Sequence, residues 1–182
     1  MDESEALKAL AAVDRRMGNS WMAVVDVLLI GASAGMLSGQ LPRDRTTTDC
    51  DVMDIHPAAA ELLLMEAAEA VAHERGLSRS WLNTDAQMLR HALPDGWRTR
   101  TVTVFLGQAI RFMAIGRVDL ICMKVYAGRA QDLDDLRCMK PSGEELDVVD
   151  AYLGMLAAHG VPQSHLEDAR TVLAALRSRH AR

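Results

Sequence analysis

The chain has 182 residues, 49% of them hydrophobic, with 20 Lys and Arg against 25 Asp and Glu and a net charge of -5. That length buries a core without external staples, and the acidic balance argues against a general polyanion-binding or membrane-surface scaffold while leaving room for a local basic pocket. Three widely spaced cysteines, Cys50, Cys122 and Cys138, offer no zinc spacing and read as reduced and cytoplasmic, and with no signal-peptide pattern and no uninterrupted apolar stretch of spanning length, no membrane contact is expected.

Residues 3–17 repeat apolar positions at helical spacing and predict an amphipathic helix ended by Gly18-Asn19. Residues 24–30 are apolar and β-branched apart from Asp26, the pattern of a strand buried on both faces. The turn Gly31-Ala-Ser-Ala-Gly35 follows, with space for two helical turns before Pro42, and a polar loop spans residues 43–48. A second strand is predicted at 50–55, a long helix at 57–75 stopped by Gly76, and a shorter helix at 84–93 stopped by Pro94-Asp95-Gly96. Residues 100–105 and 110–115 read as an antiparallel hairpin turning at Leu106-Gly107-Gln108. Four helical patterns close the chain, at 119–127, 131–139, 142–158 and 163–179, with capping boxes read at Ser142/Glu145 and Ser164/Glu167 and a short basic end at 177–182.

The predicted fold is α/β (α+β): residues 1–118 form a mixed sheet with flanking helices, including the N-terminal one, and residues 119–182 form a helical C-terminal block packed on that core.

The glycine turn admits two readings. A dinucleotide fold needs a crossover helix of about a dozen residues between parallel strands, and Pro42 interrupts well before that; residue 37 is leucine where a third glycine is needed, and no Tyr-x-x-x-Lys follows. The alternative begins at Asp49-Cys50-Asp51. Two carboxylates two apart on a strand share a face, repel each other, and suit a hard cation such as Mg²⁺ that also binds phosphate oxygens.

In this arrangement the chain resembles the nucleotidyltransferases of the polymerase-β superfamily, and within it the AbiEii-like and other small bacterial proteins of that fold, some of them toxins of toxin–antitoxin pairs. The resemblance rests on Gly31-Ala-Ser33, on Arg45-Thr-Thr47-Thr-Asp49-Cys-Asp51-Val, and on the run from Leu120 through Lys124 and Arg129 to Asp132 and Asp135. It implies that Gly31 and Ser33 bind the triphosphate, that Asp49 and Asp51 hold Mg²⁺ as the catalytic pair, and that Arg45, Thr47, Lys124, Arg129 and Asp132 lie near the nucleotide. The implied reaction moves a nucleoside monophosphate from a nucleoside triphosphate to a hydroxyl acceptor, with tRNA or protein as acceptor classes and an antitoxin or other protein as partner. Composition lends a tRNA acceptor no support.

Other residues are read more plainly. The strands at 100–105 and 110–115 contain no acid, so the third carboxylate that active members place on a later strand has Asp119 as its nearest candidate, with helix N-cap as the alternative. Its absence motivates a second hypothesis, a non-catalytic nucleotide-binding or regulatory protein. Arg129 and Asp132 are also expected to pair with each other. Trp81 and Trp97 are expected to be buried, with stacking on a base as the alternative, His56 to be a boundary residue, with a place facing the site as the alternative, and Cys122 and Cys138 to be packed thiols.

Overall fold

A computed structural model of the chain describes residues 1–18, 23–42 and 44–180. Asn19 of the predicted helix stop, Arg43 of the polar loop and the last two residues of the basic end lie outside them. The chain divides into two compact units, one of residues 1–91 with 98–115 and one of residues 92–97 with 116–182.

The first unit opens with α1 (Glu3–Met17), whose N-terminal donors are satisfied by a capping box between Asp2 and Glu5 that the sequence reading passed over. The sheet strands are β1 (Val25–Ile30), β2 (Cys50–His56), β3 (Leu82–Asn83), β4 (Val102–Leu106) and β5 (Ile110–Ala114), in spatial order β3-β2-β1-β5-β4. Between β1 and β2 lies α2 (Gly31–Leu37), and α3 (Glu61–Arg75) follows β2 after a 3₁₀ turn at Ala58–Ala60. β1 pairs with β2 antiparallel and with β5 parallel, and β4 pairs with β5 antiparallel. The antiparallel β1–β2 pair excludes the parallel crossover of a dinucleotide fold.

Three local expectations change. Residues 84–93 form a 3₁₀ stretch, Asp85–Ala92, not an α-helix. A 3₁₀ turn at Trp97–Arg100 delays the first hairpin strand to Val102. The two-residue β3 was missed because so short a strand has no periodicity to read.

Alternation along the strands separates two faces. One carries Val25, Val27, Leu29, Cys50, Val52, Ile55, Ile110, Phe112 and Ala114, all buried. The other carries polar groups at Asp26, Asp51, Asp54, Asn83 and Arg111. Asp51 and Asp54 share this face because β2 has an extra residue, Met53, between the pairs Leu29–Val52 and Leu28–Asp54.

A buried carboxylate ties α1 to the hairpin. Asp14 accepts hydrogen bonds from the backbone N–H groups of Gln108, Ala109 and Ile110 at 3.1, 2.8 and 2.9 Å. A β-carbon on Gly107 would lie 2.1 Å from that carboxylate, which is why the turn needs glycine there.

The second unit contains α4 (Arg117–Ala127), α5 (Ala130–Met139), α6 (Gly143–Ala158) and α7 (Gln163–His180). Ser142 and Glu145 form the expected capping box, but α7 begins at Gln163, so Ser164 lies inside the helix and not at its cap position. Glu145 also binds Arg117, Nε to Oε1 at 2.7 Å. Burial tends to raise its pKa, and the hydrogen bonds from Arg117 and the Ser142 backbone outweigh that and hold the carboxyl below the usual range. Tyr152 is buried with its hydroxyl donated to Ala92 O at 2.7 Å, and burial pushes the phenol far above its ordinary pKa. Among the described residues, no helix is long and apolar enough to cross a membrane.

Candidate active site

The site begins where β1 runs out. Ile30 is still extended; Gly31 then takes φ +72°, a left-handed conformation that turns the chain directly into α2. Pairing sets Asp51 opposite Ile30, so the carboxylate arrives beside the turn. Its Oδ2 lies 2.8 Å from where a β-carbon on residue 31 would sit. Glycine is therefore required at 31 twice, for its backbone angle and for the room it leaves Asp51.

Ser33 lies elsewhere. Its side chain is buried at 1% exposure and donates to Ile30 O at 3.2 Å, and it also hydrogen-bonds the thiol of Cys50. Cys50 precedes Asp51 on β2 and so points to the opposite, core face. The hydroxyl expected to meet phosphate is thus turned inward. Burial, offset in part by the Ser33 hydrogen bond and reinforced by the negative charges of Asp49 and Asp51, pushes the Cys50 thiol up to about 12.

Asp49 sits one residue before β2, half-buried, at the end of the polar loop. Thr47 shapes that end: it is buried, its hydroxyl donates to Asp49 O at 2.9 Å, and its backbone exchanges two hydrogen bonds with Met1, at 2.8 and 3.0 Å. Arg45 is half-buried, with Nη1 donated to Thr46 O at 2.9 Å. Gly31, Arg45, Thr47, Asp49 and Asp51 therefore occupy one short stretch of the first unit.

The sequence reading missed the neighbours of this stretch on the polar face. Asn83, in register with Asp51 on the parallel strand β3, donates Nδ2 to Asp51 Oδ1 at 3.2 Å. Asp54 accepts from Arg90 at 2.9 Å and from Arg98 at 3.2 Å, and Arg111 binds Asp26 in a two-pronged contact at 2.8 and 2.5 Å. Asp54 could have been found as another acid on the D-x-D strand, but simple alternation puts it on the wrong face.

Lys124, Arg129 and Asp132 belong to the second unit and form an internal ion network. Lys124 Nζ, 3% exposed, binds Asp132 Oδ1 at 3.1 Å and Asp135 Oδ2 at 2.7 Å, while the mostly exposed Arg129 binds Asp132 Oδ2 at 2.7 Å. This geometry gives Lys124 a structural task, joining α4 to α5. Asp119 is not an N-cap: Gly116 holds that position, and Asp119 lies in the first turn of α4, buried at 1% exposure. Trp81 and Trp97 are buried, as is Cys122, but Cys138 is exposed on α5, contrary to the packed role expected for it.

Among the described residues, no group of three or more His, Cys, Asp or Glu is placed to hold a metal ion. The first unit offers the pair Asp49 and Asp51, both hard oxygen donors. One or two carboxylates completed by substrate phosphates is the donor set that suits Mg²⁺, and in donor chemistry these two residues fit that ion.

Comparison with curated proteins returns no match, and comparison with solved structures returns none. A family model does match, over residues 8–151, a span that includes the glycine turn, Asp49, Asp51 and the Lys124 network. By that match over most of its length, the chain belongs to the family described as nucleotidyltransferase of unknown function, DUF6036.

Proposed function

We propose that the chain is a Mg²⁺-dependent enzyme that transfers a nucleoside monophosphate from a nucleoside triphosphate to a hydroxyl acceptor. The observation that carries this reading is the seating of Asp51 against Gly31, a strand carboxylate beside a glycine turn. Family membership supports it.

Asp49 and Asp51 would hold the metal, which when bound supplies Lewis-acid stabilisation of charge on the phosphate oxygens. Gly31, lacking a side chain, leaves room for the Asp51 carboxylate beside the turn. Thr47 fixes the loop end that carries Asp49, and Arg45 in the same loop offers positive charge to the triphosphate. In the transfer, the acceptor oxygen bonds to the α-phosphorus, the bond from that phosphorus to the β-bridging oxygen breaks, pyrophosphate leaves, and the hydroxyl proton passes to solvent.

One observation favours a second reading. With two acids and no third donor grouped with them among the described residues, the fold also suits a protein that binds nucleotide without turning it over, in a regulatory role or alongside a partner such as an antitoxin. Incubation with Mg²⁺ and each labelled nucleoside triphosphate, with RNA and protein fractions as acceptors, separates the two. Transfer of label and release of pyrophosphate, both lost in the Asp49→Ala, Asp51→Ala double variant, are expected. Nucleotide binding without a difference between the two proteins would end the enzymatic reading.

A further inference from the structure

Asn83 is held on three sides. Its own strand is anchored by Leu82 and Trp81, both essentially inaccessible, with Trp81 Nε1 donated to Ala68 O at 3.0 Å and Trp81 O accepting from Cys50 N at 2.5 Å. Its side-chain oxygen accepts the backbone N–H of Asp85 at 3.1 Å. A backbone N–H can only donate, so that contact settles which end of the amide is oxygen and turns Nδ2 toward Asp51 Oδ1, 3.2 Å away. A rigid donor thus meets one oxygen of the carboxylate while the other, Oδ2, lies at Gly31.

We propose that Asn83 is a positioning residue for Asp51: by fixing Oδ1 it sets Oδ2 as the oxygen presented to the cation at the Gly31 turn. This rests on the nucleotidyltransferase reading of the site and extends it to a residue in β3. An amide is suited to the task because it is neutral. A carboxylate at 83 would lie about a hydrogen bond's length from Asp51 and repel it unless a cation sat between them. The pair Asp51–Asn83 therefore stays ordered without metal, whereas Asp51 beside an aspartate would order only with it. Partners that orient metal-holding side chains typically carry about 10- to 100-fold in metal affinity.

The test uses Mn²⁺ alone, added to the full chain, with the unbound ion counted by electron paramagnetic resonance and folding checked by thermal melting. Asn83→Ala is expected to weaken Mn²⁺ binding about tenfold with little change in melting. Asn83→Asp, which adds a third acidic oxygen donor at the same place, is expected to bind Mn²⁺ more tightly than the native chain. Asp51→Ala is expected to abolish binding. If Asp51→Ala matters and neither Asn83 variant changes Mn²⁺ binding, the positioning role is overturned and the site reading stands. If both Asn83 variants lose binding together with stability, Asn83 is only a strand residue and the role is equally overturned. Mn²⁺ binding that survives Asp51→Ala overturns the site reading itself.

Discussion

The Asp51 carboxylate fills the space that a side chain on Gly31 would need: Oδ2 stands 2.8 Å from the position a β-carbon would take. Gly31→Ala must therefore adopt a left-handed backbone, costing about 1–2 kcal/mol, and must also displace Asp51. We expect a lowered melting temperature together with a loss of Mn²⁺ binding. An alanine variant that keeps its metal affinity would show that the carboxylate is not held by the turn.

Lys124 tests a role assigned on resemblance against one drawn from contacts. Its ammonium is buried between Asp132 and Asp135, and Lys124→Met would leave two carboxylates there without that partner. Breaking a buried pair from one side typically costs about 3–5 kcal/mol. Urea denaturation should show a loss of that order; a fully stable but inactive Lys124→Met protein would instead return the lysine to the nucleotide.

The thiols should differ sharply. Cys50 and Cys122 are buried and Cys138 is exposed, and the Cys50 thiol is raised to about 12. Reaction needs both access and thiolate. Titration with a chromogenic disulfide at pH 8 should find one fast thiol in the native protein, absent in Cys138→Ser, and three after denaturation.

Acid should loosen the second unit through Glu145. Its native pKa is lowered by Arg117 and the Ser142 backbone, so its stabilising contribution is complete above the unfolded carboxylate value of about 4.3 and disappears as pH falls through the lower native one. Stability measured from pH 6 downward should fall less steeply in Glu145→Gln than in the native chain, because the variant has no proton to take up at that position.

Asp14→Ala would strip three backbone N–H groups at the hairpin turn of their acceptor. At about 1–3 kcal/mol for a buried group left unsatisfied, a loss of roughly 3 kcal/mol is expected in denaturant unfolding, accompanied by faster hydrogen exchange at Ala109 and Ile110.

How much of this was readable without coordinates follows from the range of the forces involved. Periodicity is local, so the long helices and the β1, β2 and β5 strands were legible, and the short reach from Gly35 to Pro42 was enough to reject a crossover. Cap chemistry at Ser142 was legible for the same reason. The direction of the Ser33 hydroxyl was not, because it depends on Cys50 lying across from it. Nor was Asn83, which matters through a two-residue pairing with Asp51, nor Asp14, whose backbone donors lie more than 90 positions away. Cys138 was misplaced because helical spacing in a stretch rich in both acids and apolar residues does not decide which side faces the core.

The extra residue at Met53 has a consequence for comparing relatives. Because it shifts the alternation of β2 by one, an acid three positions after Asp51 here is spatially equivalent to an acid two positions after it in a chain whose strand runs straight. A relative written D-x-D-x-D and this chain, written D-x-D-x-x-D, would present the same row of carboxylates, and an alignment without a gap at 53 would pair Asp54 with a core residue.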